Sequence, residues 1–365
     1  MSEAPPRTPR LLFLVTIPGF VYYFGMKSDA PGRPPRPNES RLLNRILTPV
    51  LLAAAVFGTA AAIGLSGLAR PRDASAMAAV GAPEPLRGLP GYSLEALDGP
   101  IKIGIQPGHW RIDELPDEQA RLRTSTGAAF GSLRELDLNL AVSRILVDRL
   151  TAAGYAAELV PAAVPAGYRA DLFVSVHADR ADRPDRRGWK LSPPWRPSPE
   201  SRRLANTMVE AFRASGLAED RGGVTANMRG YFGFSWWRYS NALSPYTPAV
   251  LVEMGFLGNP EDRVRMRDNP SLYAGILFEG IQSFLAGSDR EDLDALVPVL
   301  YRVRSAGPGG AAGRASPSFG SAVLESYPSG RYLSFVDSDE GGWFEVFSRP
   351  LRRGVWVHES ELDGE

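Results

Sequence analysis

Residues 171–179 read DLFVSVHAD, an apolar run that ends on a histidine and then turns polar. A strand buried on both faces of a parallel sheet has this character, and it carries the side chain at its carboxyl end to the edge of the sheet. The same figure occurs at residues 101–109 (IKIGIQPGH) and 248–255 (PAVLVEMG). Three strands therefore end on His109, His177 and Glu253, and in open α/β sheets ligands sit beyond the carboxyl ends of the strands. The chain has three histidines, His109, His177 and His358, so two of the three fall at strand ends.

The pattern between these strands is helical. Residues 135–153 (ELDLNLAVSRILVDRLTAA) place Leu138, Val142, Ile145 and Leu150 at helical spacing and stop at Gly154. A strand at 156–160, a helix at 200–215 and a closing helix at 271–285 complete an alternation. It predicts an α/β domain over residues 98–288, a mixed, mostly parallel sheet covered by helices on both faces.

At 365 residues there is room for two or three units. Residues 47–69 carry no charge and are long enough to cross a hydrocarbon core as one helix. Lys27, Arg33, Arg36, Arg41 and Arg45 precede that segment, which places residues 1–46 in the cytoplasm and everything after Ala69 outside. The expectation is a single-pass cell-membrane protein whose linker, 70–97, sets reach. An earlier apolar stretch at 11–24 is shorter than a span and is interrupted by Pro18 and Gly19. It reads equally as an interfacial segment, a second kinked span or the product of an upstream start. Lys plus Arg and Asp plus Glu both count 41, so no overall field points to nucleic acid. Cysteine is missing, which excludes disulfides, thiolate zinc sites and a cysteine nucleophile.

Metal chemistry accounts for the polar strand ends. Catalytic zinc takes three protein ligands from histidine and carboxylate and leaves a fourth position for water. His109 and His177 supply two, and Glu135 is the candidate third because it opens the helix that packs beside both strands. Ser132 and Glu135 also have the spacing of a capping box, in which the glutamate would bond backbone N–H groups instead. Glu253, after three apolar residues, would otherwise be a buried carboxylate without a partner. As general base toward water and then acid toward a leaving nitrogen it has a use. No Gly-x-Ser-x-Gly elbow occurs, which disfavours a serine hydrolase.

The strings PGH at 107–109, ELDLNLAVSRIL from Glu135, SVHAD from Ser175 and PAVLVEMGFLGNPED from Pro248 together resemble the zinc-dependent N-acetylmuramoyl-L-alanine amidases of bacterial cell walls. The resemblance covers about residues 102–285, with the four motifs in order. It implies Zn2+ held by His109, Glu135 and His177, Glu253 as catalytic glutamate, and peptidoglycan as substrate. The bond cut would be the amide joining N-acetylmuramic acid to L-alanine of the stem peptide. Trp110 after the first histidine, a long loop from His109 to Glu135, and Asp179 in place of the usual Asn depart from the family pattern. Two aromatic clusters, at 187–199 and 231–239, read as a sugar-stacking surface or as core.

Beyond the charged break at 289–296, residues 297–365 read as short strands parted by Gly, Pro and Ser, the pattern of a small barrel. VRS, GGWFEV and GVWVHESEL resemble bacterial Src-homology-3-like domains, which implies a wall-binding role, with His358 structural. The leading expectation is a membrane-tethered amidase facing the wall. A catalytically inactive amidase-like anchor or sensor is the alternative, and a zinc amidohydrolase acting on another amide is a third reading.

Overall fold

The structure is a computed structural model that describes residues 11–17, 20–26, 94–304, 310–339 and 341–363, the first two by their backbone. The stretch 11–24 belongs to a hairpin of β1 (Leu11–Ile17) and β2 (Phe20–Met26), antiparallel with Leu11 opposite Met26 and Ile17 opposite Phe20. Both segments are rich in β-branched and aromatic residues, which favours strands. Among the described residues no helix is long and apolar enough to cross a membrane. The expected span at 47–69 lies outside the described residues, as do 27–46 and most of the linker.

The main sheet is built from β3 (Lys102–Pro107), β6 (Ala156–Leu159), β7 (Leu172–Asp179), β8 (Lys190–Ser192) and β9 (Ala249–Phe256), in the order β6-β3-β7-β9-β8. The first four are parallel and the edge strand β8 runs antiparallel to β9. A small hairpin of β4 (Ala129–Phe130) and β5 (Leu133–Arg134) leads into α1 (Glu135–Ala152). The other helices are α2 (Pro199–Ala214), a single turn α3 (Ala226–Arg229), α4 (Pro260–Asp268) and α5 (Pro270–Ala286).

Alternation along the strands decides what each face meets. Ile103, Ile105, Leu172, Val174, Val176, Val250 and Val252 share one core with Leu138, Val142 and Leu146 of α1, Leu204, Met208 and Phe212 of α2, and Ile276, Leu277 and Ile281 of α5. The opposite face, with Phe173 and Leu251, packs against Tyr168, Met228, Tyr231, Phe234 and Leu243, which belong to loops and one-turn helices. The expectation of helices on both faces is therefore corrected: the long helices cover one face. The polar positions Ser175, His177 and Glu253 fall on the other, where loops can bring polar partners.

Local signals fix the helix ends. Ser198 accepts from Ser201 N ahead of Pro199, and Asn259 accepts from the N–H groups of Glu261 and Asp262 ahead of Pro260. α1 is followed by Gly154 at φ +92, a left-handed position that suits glycine.

The C-terminal part is a six-stranded antiparallel sheet, ordered β10-β13-β14-β15-β11-β12, of β10 (Leu300–Arg302), β11 (Ala311–Arg314), β12 (Val323–Tyr327), β13 (Tyr332–Ser338), β14 (Trp343–Ser348) and β15 (Arg353–His358). Val303, Ala311, Tyr327, Leu333, Val346, Val355, Val357 and Leu362 form its core. It is joined to the α/β part by aromatic contacts. Trp195 stacks on Phe347 at 4.9 Å, and Arg202 of α2 lies 4.5 Å over the Phe335 ring while donating to the Phe335 and Val336 carbonyls.

Candidate metal centre

β3 stops at Pro107, two residues short of His109, and the chain then turns sharply. His109 has φ 67 and Arg111 φ 58, left-handed conformations that non-glycine residues adopt at some cost. Gly108 N donates to Val176 O at 2.8 Å, which ties this turn to the end of β7. A Cβ on Gly108 would lie 2.4 Å from the His177 ring, so only glycine lets the two histidines approach. Gly127, at φ +88, is similarly confined, since a Cβ there would meet His109 at 2.8 Å and Glu135 at 2.9 Å.

His109, Glu135 and His177 each offer a ligand atom, and these atoms lie within 4.8 Å of one another. Glu135 Oε1 is 3.0 Å from His177 Nδ1 and 3.2 Å from His109 Nε2. The capping-box reading of Glu135 fails. The residue before the helix is Arg134, no side chain caps it, and the Glu135 carboxylate turns inward. Oε2 accepts from Ala128 N at 2.7 Å, and Oε1 accepts from Ala178 N and from Asn139 Nδ2, each at 3.2 Å.

The hydrogen bonds orient the imidazoles. His109 Nδ1 faces the carbonyl of Ser125 at 2.6 Å, and a carbonyl only accepts, so Nδ1 carries the proton and Nε2 points its lone pair at Glu135. A lone pair of His109 facing a carboxylate oxygen at that distance requires a proton or a cation between them. Burial works against protonation of His109, but the hydrogen bond and charge of Glu135 raise its pKa. Burial outweighs the same carboxylate at His177, whose pKa falls. Burial also opposes the Glu135 charge, yet the two histidines hold that carboxyl well below the usual carboxylate range. Two imidazoles and one ionised carboxylate, confined by two glycines, fit a divalent cation.

The long loop after His109 is therefore part of the site: it supplies Ser125 to one expected ligand and Ala128 to another. Asn139 was not anticipated, although it lies one helical turn after Glu135, a spacing that the sequence displays. It is fully buried and bridges Gly108 O and Glu135 Oε1. Beneath the cluster, Gln106 Oε1 accepts from both Ser175 Oγ at 2.9 Å and Tyr231 OH at 2.7 Å, and the Tyr231 ring meets His177 edge-on at 5.6 Å.

Glu253 lies beside this cluster in register with His177. Its Oε2 is shielded from solvent without a hydrogen-bond partner. Burial, then the negative charges of Glu135 and Asp179, raise its pKa well above the ordinary value, while Lys190 pulls it back. Lys190 stands opposite Glu253 on β8, buried, 2.5 Å from Asp179 and 3.5 Å from Asp220. Asp179 is thus spoken for by an ion pair.

The aromatic clusters serve mostly as core and joint. Trp189 is buried against Phe212, Tyr231 and Phe234 pack on the sheet, and Trp195 and Trp237 meet Phe347. Trp236 packs with Tyr246, Val297 and Leu300. His358 is removed from the cluster in sequence and sheet, meeting Trp343 edge-on at 5.0 Å and bonded through Nδ1 to Ser360.

Residues 103–283 match the protein family described as N-acetylmuramoyl-L-alanine amidase. Among solved structures, the chain is similar to the N-acetylmuramyl-L-alanine amidase Ami1 of Mycobacterium smegmatis, at 21% identity and TM-score 0.40, covering 52% of this chain and 98% of that one. The apo form of Ami1 from Mycobacterium abscessus shares 21% identity at TM-score 0.38, covering 51% and 98%. The N-acetylmuramoyl-L-alanine amidase of Clostridium difficile 630 shares 19% at TM-score 0.38, covering 53% and 100%. A search of curated proteins finds no match. Residues 103–283 carry an N-acetylmuramoyl-L-alanine amidase domain, and the chain is an enzyme that hydrolyses the amide between N-acetylmuramic acid and L-alanine in peptidoglycan.

Proposed function

We propose that the amidase works with Zn2+ held by His109, Glu135 and His177, and that Glu253 is its proton carrier. The observation that carries this reading is the convergence of two imidazoles on one carboxylate oxygen at 3.0 and 3.2 Å. A bound zinc ion would polarise the lactyl carbonyl and acidify water at neutral pH.

The chain's own groups divide the remaining work. Glu253 takes a proton from the attacking water as the oxygen adds to the carbonyl carbon, then delivers it to the nitrogen as the C–N bond breaks. The products are a carboxyl on the lactyl group and a free amino terminus on L-alanine. A carboxyl whose pKa is raised by burial suits both halves of that transfer. Tyr231, through its edge contact with His177, restricts rotation of that ring.

We further propose that residues 47–69 tether the enzyme to the cell membrane with the amidase domain outside. The basic residues before the segment and its uncharged length support this. Residues 297–365 are read as a Src-homology-3-like wall-binding domain, supported by short antiparallel strands around one apolar core.

One experiment tests the reading. The full chain is incubated with isolated cell wall, and new L-alanine amino termini are counted before chelation, after chelation and after zinc is returned. Loss and recovery are expected. Unchanged release after full chelation overturns the metal assignment, and no release by the zinc-loaded parent favours the inactive anchor. A reporter fused after Glu365 tests the topology and is expected to be active only outside the cytoplasm.

A further inference from the structure

We propose that Trp195 is a positioning residue of the amidase site, through which the C-terminal sheet holds Tyr231 against His177. This rests on the amidase reading of the His109–Glu135–His177 cluster and gives residues 297–365 a second task beside wall binding.

The need arises from how the main sheet is covered. α1, α2 and α5 pack on one face, and the face that carries His177 and Glu253 is closed by loops and single helical turns. A single turn is not stable on its own, because fixing its first residues costs more than its few hydrogen bonds return. α3 has four residues and leads through Gly230 into Tyr231. Tyr231 meets His177 edge-on at 5.6 Å and donates from its hydroxyl to Gln106 at 2.7 Å. Whatever holds α3 therefore holds the aromatic neighbour of a proposed metal ligand.

Trp195 supplies that hold. Its backbone N–H donates at 3.0 Å to the carbonyl of Arg229, the last residue of α3, and the Arg229 guanidinium lies over the indole at 5.0 Å. The indole also abuts Gly230, where a Cβ would stand 3.5 Å from Nε1. The same ring is buried by Phe347 of β14, stacked on it at 4.9 Å with 18° between the planes. Phe347 in turn meets Trp237 at 6.0 Å, so β14 reaches the chain both before and after Tyr231. Trp195 follows closely on β8, whose Lys190 stands in register with Glu253, and it therefore steadies the end of that edge strand as well. Arg202 secures the C-terminal sheet separately, by donating to the Phe335 and Val336 carbonyls. A change at Phe347 can thus relax Trp195 while the sheet stays docked. With the stack gone, Tyr231 and the His177 ring gain freedom that must be given up again when zinc binds, which weakens affinity.

A C-terminal sheet that only binds wall makes a different prediction. The test uses the full chain, its Phe347→Leu variant, which keeps an apolar side chain and loses the flat ring, and its Phe347→Tyr variant, which keeps the stack. Circular dichroism and a urea curve establish that each is folded at the assay temperature. Zinc affinity is measured by competition with a chromophoric chelator, and kcat and KM are measured on a soluble muramoyl-L-alanyl peptide. In Phe347→Leu, zinc affinity and kcat are each expected to fall about three- to tenfold, the scale of one lost aromatic contact, with KM at the parent value. Phe347→Tyr should match the parent in all three. Parent-level zinc affinity and kcat in Phe347→Leu, or equal losses in the Leu and Tyr variants, overturn the positioning role. A parent that binds zinc and cleaves neither the peptide nor isolated wall overturns the amidase reading, and the zinc competition still decides whether Phe347 acts on the ligand cluster.

Discussion

His177 and Glu253 are register partners on adjacent parallel strands, so their side chains leave the sheet on the same face. Lys190 stands in register with Glu253 on its other side. The sheet thereby lines up an imidazole, a carboxyl and an ammonium across three strands, and the spacing between them is set by backbone hydrogen bonds rather than by flexible loops.

That rigidity bears on metal binding. His177→Ala removes one expected ligand, and Gly108→Ala forces a methyl group to within 2.4 Å of the His177 ring. Both variants are expected to lose zinc on dialysis at neutral pH, measured by elemental analysis, with far-ultraviolet circular dichroism unchanged. The overpacking in Gly108→Ala should also cost roughly 1–3 kcal/mol in urea unfolding. Full zinc occupancy in His177→Ala would remove it from the ligand set.

Glu253→Gln keeps the shape of the side chain and removes the proton carrier. Its release of L-alanine amino termini from isolated wall is expected to fall by about a hundredfold or more, while zinc content and sedimentation with wall stay at the parent level. Parent-level release would transfer the proton role to another group.

Asp220 gives a pH dependence distant from the ligands. Burial opposes its charge, but Arg186 at 2.9 Å, the Gly222 N–H and Lys190 hold its pKa below the ordinary aspartate value. A carboxyl depressed by folding stabilises the fold above its unfolded pKa, about 4, and that contribution is lost as pH falls through the folded value. Urea midpoints of the parent and Asp220→Asn should therefore differ at pH 7 and converge as pH drops below about 4. A difference that persists unchanged into acid would mean the pair contributes through packing.

The stacking of Trp195 on Phe347 makes the C-terminal sheet part of the same folded body. Phe347→Ala is expected to lower the unfolding stability by about 1–3 kcal/mol and to expose the α2 end to protease, seen by limited proteolysis and mass spectrometry. Unaltered stability and cleavage would show that the two parts fold without each other.

Much of the fold was legible because it depends on local pattern. Apolar runs announced β3, β7 and β9, and the helical spacing of Leu138, Val142 and Leu150 announced α1, since burial on both faces or on one stripe leaves a period in the sequence. His109, His177 and Glu253 stood out because each ends an apolar run, and Glu135 because it opens a helix; the structure brings ligand atoms of the first two and Glu135 within 4.8 Å of one another, with Glu253 in register beside His177. Other features depend on contacts between residues far apart in the chain, which leave no period. The three-residue β8 is too short to carry a pattern, yet it sets Lys190 against Glu253. The aromatic residues at 189–195 and 231–237 have one composition and several fates, as core, floor of the site and joint to the C-terminal sheet. Which face of the sheet the helices cover was likewise decided only when α1, α2 and α5 packed together. The sequence determined which side chains could do the chemistry. Tertiary structure decided that two glycines, the Ser125 carbonyl and Asn139 would hold them within reach, because those partners are joined by closeness in space alone.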